Sequence, residues 1–323
     1  MQLNATQLQA ALPWDSLIEA LKDIFVREVC SPVRHHHSIN VPDKLSATLL
    51  LMPAWLEGEY LGIKQVNVFP SNNVNNIPAL SSHYMLSCGK TGQPLMQLDG
   101  NELTARRTAA ASALASAYLS REDARVMLMV GSGRMARRLI PAHMSVRPIK
   151  IVQVWDRKEE KAQTLVTELK ESGINAEVCK PDNLQVAAQQ ADIISCATMA
   201  TSPLILGEWL KPGAHLDLVG SFTPTMRETD NAAMQLCSVF VDTRAGALSE
   251  TGDLIIPIRD GAITQEKIIA EFTQLCSGKH RGRADLADPD NSITLFKSVG
   301  DSREDLAAAI LAYEQCNQNK ASV

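Results

Sequence analysis

The chain has 323 residues, is 45% hydrophobic but only 4% aromatic, and carries a formal net charge of −5. That length suggests two domains, packed mainly by Ala, Val and Leu as in α/β proteins with parallel strands. The charge disfavours nucleic acid or an anionic membrane as main partner, and no apolar run reaches the roughly 18 residues of a spanning helix.

The seven cysteines are odd in number and none forms a Cys-x-x-Cys spacing. This argues for reduced thiols rather than a disulfide framework or zinc site. Met1-Gln2-Leu3-Asn4 has no basic region leading into an apolar stretch, so no secretion signal is expected and the location is read as cytoplasmic.

Residues 14–29 read as an amphipathic helix, with Leu17, Ile18, Leu21, Ile24 and Phe25 at helical spacing after a capping Asp15. Next comes Arg34-His35-His36-His37. In an extended segment neighbouring side chains point to opposite faces, so the three histidines cannot converge on one ion, and no metal is expected. Between Thr48 and Leu98 the pattern is β: Thr48–Pro53, Tyr60–Phe69, Ala79–Cys88 and Pro94–Leu98, the last two joined by Gly89-Lys90-Thr91-Gly92. Lys64, inside the second strand, is either an exposed strand lysine or a cation aimed into a pocket. Asn101 can cap a helix to about Leu119 that carries Arg106 and Arg107 early. Arginines there oppose the helix dipole, which hints at a task other than stability.

From Val126 the pattern becomes doubly wound. The apolar run Val126–Val130 breaks into Gly131-Ser132-Gly133-Arg134-Met135-Ala136 and continues as a helix. In this strand–turn–helix the first Gly permits the tight turn and the second lets the backbone approach a pyrophosphate. The small third residue allows close packing, and the helix start offers N–H groups to phosphate. The second strand, Ile149–Trp155, ends in Asp156-Arg157-Lys158. An acid there suits a ribose hydroxyl, whereas the adjacent cations suit a 2′-phosphate, so NADH and NADPH both stay open. The next expected elements are a helix (159–171), a strand (175–179), a short helix (184–190) and strands at 192–197, 215–219 and 238–242. Thr198 and Thr201 follow the first of these strands, where a loop would face the cofactor. Later come a loop with Gly252-Asp253, a helix near 265–276, a charged stretch (279–290), a strand at 293–296 and a final helix capped by Asp301 or Ser302. Lys320–Val323 are expected to fray. Strands alternating with helices predict a parallel sheet.

Five segments in order carry a resemblance. They are Thr104-Ala105-Arg106-Arg107-Thr108-Ala109-Ala110, then Val130–Ala136, then Gly207-Glu208-Trp209-Leu210-Lys211-Pro212-Gly213-Ala214-His215. Arg227-Glu228-Thr229-Asp230 follows, and last Leu295-Phe296-Lys297-Ser298-Val299-Gly300 with Glu304-Asp305. Together the set resembles the ornithine cyclodeaminase/mu-crystallin family over about residues 30–315. The resemblance implies an α/β chain. A Rossmann domain (121–301) would join a second, substrate-binding α+β domain (1–120 plus 302–323) that forms a homodimer by sheet-to-sheet contact. It implies a nicotinamide cofactor, NADPH or NADH, contacted by Gly131, Ser132, Gly133, Arg134, Met135, Ala136, Asp156, Arg157, Lys158, Thr198, Val219, Ser298, Val299 and Gly300. It also implies that Arg34, Lys64 and Arg107 hold a substrate carboxylate, and that Asp230 is the acid beside the reacting nitrogen. On its own residues, Asp230 equally suits a helix N-cap.

One departure narrows the chemistry. Ornithine cyclodeaminases carry a glutamate just before Leu-Met-Pro, suited to a distal amine, and this chain has Leu50 before Leu51-Met52-Pro53. The loop Pro224-Thr225-Met226-Arg227-Glu228-Thr229-Asp230 also departs from their version. Both changes resemble the ketimine reductase branch. They point to reduction of a small cyclic imino acid, Δ1-pyrroline-2-carboxylate to L-proline, with the piperideine homologue as a further substrate. Ornithine cyclodeaminase, alanine dehydrogenase and a non-catalytic crystallin-like binding protein are the alternatives.

Overall fold

The structure, a computed structural model, describes residues 1–75 and 77–321. Its chain divides into two compact units, residues 1–108 with 301–323, and residues 109–300. The sequence suggested a division near residue 120, after the long helix; the contacts instead divide it within that helix. Its first half packs on the first unit, whereas carbonyls near its end are taken by arginines of the second, Ser116 and Ala117 by Arg147 and Leu119 by Arg283.

The first unit opens with β1 (Gln2–Leu3), α1 (Ala5–Ala11) and α2 (Trp14–Ile24). The sequence pattern missed the first two, although Asn4 and Gln7 form a capping box. Helix α2 stops at Ile24, short of the expected 29. Asp15 lies in its first turn and Pro13 is the cap residue. Then follow β2 (His35–Ile39), β3 (Ala47–Leu56), β4 (Tyr60–Val68), β5 (Leu80–Cys88), β6 (Pro94–Asp99) and α3 (Gly100–Leu119). Asp99 caps α3 by accepting from the Glu102 N–H, and Asn101 instead accepts from Ser82, so the expected cap lies two residues early. Among the described residues these strands form one sheet in the order β1-β6-β5-β4-β3-β2, antiparallel except for β1 against β6.

In the second unit strand and helix alternate as far as β10, and β11 follows it without an intervening α-helix: β7 (Val126–Val130), α4 (Ala136–Val146), β8 (Ile151–Trp155), α5 (Glu159–Glu171), β9 (Ala176–Cys179), α6 (Leu184–Gln190), β10 (Ile193–Cys196) and β11 (His215–Leu218). They continue with α7 (Asn231–Leu236), β12 (Ser238–Val241), α8 (Arg244–Glu250), α9 (Gly252–Arg259), β13 (Ile268–Glu271), α10 (Phe272–Cys276) and β14 (Thr294–Lys297). Two expectations fail here. Gly252-Asp253 opens α9, capped by Thr251, rather than lying in a loop. The helix expected near 265–276 is β13 followed by the five-residue α10, because Ile268 and Ala270 complete the buried sheet edge. Among the described residues this sheet is parallel throughout, ordered β13-β12-β14-β11-β10-β7-β8-β9. The order in which strands are added reverses between β7 and β10, the switch point at which such sheets bind ligands beyond their strand C-termini.

The last helix, α11 (Ser302–Ala321), belongs to the first unit and packs on β3, β4 and β5. Residues 322–323, part of the segment expected to fray, lie outside the described residues. No helix among the described residues is long and apolar enough to cross a membrane.

Candidate active site

Each unit holds one set of candidate residues. In the first, alternation along the sheet decides which side chains meet. Register aligns Met52, Lys64, Tyr84 and Leu98 across four strands, so all four share the face covered by α11. Lys64 is therefore 2% exposed and not a surface lysine. Its ammonium is 2.6 Å from Asp305 Oδ2 in the first turn of α11. The other Asp305 oxygen accepts from Arg107 Nε at 2.9 Å, and Arg107 NH1 reaches Glu304 at 2.5 Å. Gly62 faces the same side, where a Cβ would fall 1.9 Å from the Tyr84 hydroxyl, so only glycine leaves that ring its place.

Burial of this cluster moves its titrations. Lys64 is pushed down to about 8, mainly by burial and further by Arg107 and Arg34, while Asp305 opposes the shift. Asp305 resists its own burial and is held below the usual carboxylate range by Arg107 and Lys64. An ammonium has three donors and a guanidinium five, of which these bonds to Asp305 and Glu304 use one and two. Donors therefore remain for a further carboxylate. Leu50 lies on the same face, paired with Val66 two register positions along from Met52 and Lys64. Arg106 behaves differently from Arg107: it stacks on Trp14 at 4.1 Å and donates to the Leu12 carbonyl, a packing role. The histidines lie on edge strand β2, with His35 and His37 on one side and His36 on the other. Among the described residues no group of three His, Cys, Asp or Glu is placed to hold a metal ion.

The second set surrounds the end of β7. Gly131 has φ +101°, and a Cβ there would meet the Ala197 carbonyl oxygen at 2.7 Å, so both conformation and space demand glycine. Space beside Gly133 is open, as close approach of a phosphate requires. Ser132 donates from Oγ and N to Asp156 Oδ2, at 2.7 and 3.2 Å, and the Lys158 N–H reaches Oδ1 at 3.0 Å. Partial burial pushes Asp156 up, but these bonds prevail and hold it below the ordinary range. A cavity of about 340 Å³ is lined by Gly131, Ser132, Gly133, Asp156, Arg157 and Thr198, among others. Arg134 and Lys158 are exposed nearby in sequence; Met135 precedes α4 and Ala136 is its buried first residue. Val219 leaves β11, and Ser298, Val299 and Gly300 leave β14, at the same carboxyl edge. Acceptor, cations and open turn thus fit a dinucleotide.

Asp230 is the N-cap of α7, where its Oδ1 accepts from Ala233 N–H at 2.8 Å and Gly207 N–H at 2.9 Å. A Ser195–Asp217–His143 cluster has the composition of a hydrolytic triad, but all three are 0% exposed, out of reach of any substrate.

The matching family model, the ornithine cyclodeaminase/mu-crystallin family, covers residues 3–320. The chain belongs to this family. An uncharacterised protein of Schizosaccharomyces pombe is 50% identical over 322 residues, 98% of each chain. A Delta(1)-pyrroline-2-carboxylate reductase of Colwellia psychrerythraea is 35% identical, over 95% of this chain and 96% of its own. The structure of Thermococcus litoralis Delta(1)-pyrroline-2-carboxylate reductase, in complex with NADH and L-proline, superposes with TM-score 0.89 at 31% identity, covering 99% of this chain and 98% of that one. Within this member of the family, the acids Glu304, Asp305, Glu228, Asp242 and Asp253 and the buried Lys297 had no role assigned from sequence. Glu228, Lys297, Glu304 and Asp305 stood in the segments that carry the family resemblance, whereas Asp242 and Asp253 showed only as charges beside apolar residues; a pairing between distant segments cannot be read from spacing.

Proposed function

We propose that this protein reduces the C=N bond of a cyclic imino acid, Δ1-pyrroline-2-carboxylate to L-proline, with the six-membered piperideine homologue as a further substrate. The observation that carries this reading is the buried Lys64–Arg107 pair, with donors to spare and apolar Leu50 on the same face. Such a face suits one carboxylate beside a small apolar ring. A substrate with a distal ammonium, such as ornithine, would find no countercharge at Leu50. Similarity to pyrroline-2-carboxylate reductases along nearly the whole chain supports the same reading.

A nicotinamide cofactor, NADH or NADPH, supplies the hydride when bound. Gly131, Ser132, Gly133 and Ala136 would hold its pyrophosphate and Asp156 its ribose, with Arg157 and Lys158 beside them. Arg34, Lys64 and Arg107 grip the substrate carboxylate by charge-assisted bonds and so fix the orientation of the ring. Asp230 is assigned to the imine nitrogen, where a carboxylate favours the iminium, the better hydride acceptor. One C=N bond becomes CH–NH: the hydride goes to carbon and one proton to nitrogen.

A homodimer is part of the proposal. The sheet face of the first unit that points away from α11 carries Leu49, Leu51, Leu61, Ile63 and Met85, with Leu61 and Ile63 39% and 36% exposed. An apolar sheet face of this kind is a site of association. The deciding experiment follows oxidation of NADH and of NADPH with Δ1-pyrroline-2-carboxylate as acceptor, with proline as the expected product. Ammonia release from ornithine without net cofactor consumption would sink this reading in favour of cyclodeamination.

A further inference from the structure

Three buried carboxylates of the second unit take no part in the chemistry above. Glu228 accepts through Oε1 from the Thr198 N–H and hydroxyl, each at 2.8 Å, and through Oε2 from the Gly220 N–H at 2.8 Å. Asp242 accepts through Oδ2 from the N–H groups of Val299 and Gly300, at 2.7 and 2.6 Å. Asp253 accepts from the N–H groups of Glu228 and Thr229. All three acids are 0% exposed, as is Lys297, whose ammonium bonds the Leu218 carbonyl and lies 3.8 Å from Asp253. Burial pushes Glu228 up to about 7; Lys297 opposes that and Asp253 adds to it. Ionised carboxylates are costly to bury unless fixed donors converge on them, and here the donors are mostly backbone groups of three loops. Those loops leave β10, β11 and β14 at the carboxyl edge of the sheet.

Peptide planarity gives this a consequence. In a trans peptide the N–H and the preceding C=O point in opposite directions, and no cis bond occurs among the described residues. With the N–H groups of Thr198, Gly220, Val299 and Gly300 turned toward carboxylates, the carbonyls of Ala197, Val219, Ser298 and Val299 point the other way. One of these is directly located. The Ala197 oxygen is the atom a Cβ on Gly131 would strike, so it faces the glycine turn.

We propose that Glu228 and Asp242 are positioning residues that turn the loop ends into a rim of backbone carbonyls, matched to the carboxamide N–H groups and pyridine ring of nicotinamide. The inference rests on the nicotinamide reading above and deepens it. A phosphate needs converging N–H donors, which the glycine turn and the start of α4 can provide. The Val219, Ser298 and Val299 carbonyls have the opposite polarity and so select the other end of the dinucleotide, while the Ala197 carbonyl borders the turn itself. Asp253 and Lys297 act one step further back, holding the chain of Glu228 and balancing its charge.

The test titrates the full-length protein with NADH and with ADP-ribose, which lacks the nicotinamide. Glu228→Gln preserves shape but sets an amide donor against backbone donors. The expected result is NADH affinity weakened by about tenfold or more and ADP-ribose affinity held within about twofold. In turnover, KM for the cofactor rises while KM for the imino acid stays. Asp242→Asn carries the same expectation and serves if Glu228→Gln does not fold. Equal weakening of both ligands would reduce the acids to a general structural role, and unchanged NADH affinity would remove them from cofactor binding; either result overturns the proposal. Wild-type protein that binds no NADH would overturn the cofactor reading and the rim with it. Wild-type binding with unaffected variants would overturn the rim alone.

Discussion

Lys64 makes the sharpest pH prediction. An ammonium at its ordinary value near 10.5 stays charged through the working range, but burial and the neighbouring Arg107 and Arg34 push this one down to about 8. Because the folded value is depressed, the charged form is present below about pH 8 and lost as pH rises through it. At pH 9 about ten molecules in eleven carry a neutral Lys64. If Lys64 holds the substrate carboxylate, kcat/KM for the imino acid, which at saturating cofactor reports the cofactor-loaded protein before substrate binds, falls about tenfold per pH unit above that value. The assay is initial-rate NADH oxidation at saturating cofactor between about pH 6.5 and 9.5. Lys64→Arg keeps its charge throughout, so its profile loses this limb whatever its absolute rate. Dividing one profile by the other cancels any titration of the imine. Parallel profiles for the two proteins through pH 8, or no fall in the wild type, would refute the assignment.

Four further outcomes are expected. Asp230→Ala lowers kcat by about 100-fold with cofactor affinity unchanged, whereas Asp230→Ser restores the cap, worth about 1 kcal/mol in a thermal melt, but not the rate; a variant with normal kcat removes the acid from the chemistry. Gly131→Ala forces a φ of +101° on alanine and drives its Cβ toward the Ala197 oxygen, so stability falls by about 2–4 kcal/mol by denaturant titration and NADH binding is lost. Asp156→Ser removes the ribose acceptor and leaves Arg157 and Lys161 in the cavity, raising the NADPH to NADH ratio of kcat/KM by about tenfold; an unmoved ratio would show that Asp156 does not read the ribose. Ile63→Glu sets a charge on the outer sheet face and weakens self-association by at least about tenfold in sedimentation velocity, and an unchanged dimer would place the interface elsewhere.

Much of this protein is written locally. The turn Gly131-Ser132-Gly133 was legible because tight φ and close approach demand glycine whatever surrounds them. Helix α5, at 159–171, was legible to the residue, because periodicity and flanking turn signals act within a few positions. Leu50 was singled out only through the family resemblance, as the residue standing before Leu51-Met52-Pro53, and strand register sets it on the face of Lys64. Other features had no local cause. Residues 268–271 form a strand rather than continuing a helix because β12 offers a free edge to pair with. Gly252-Asp253 became a helix start because Thr251 caps it and Asp253 collects the N–H groups of Glu228 and Thr229. Only tertiary structure decided between an exposed and a buried Lys64, and set Arg106 against Trp14 and the Leu12 carbonyl while Arg107 pairs with Glu304 and Asp305. Lys64 meets Asp305 241 positions away, and a charge pair of that separation leaves no periodicity in the chain. Sequence named candidate side chains; folding determined which acids stand beside them, and therefore their electrostatics and their orientation.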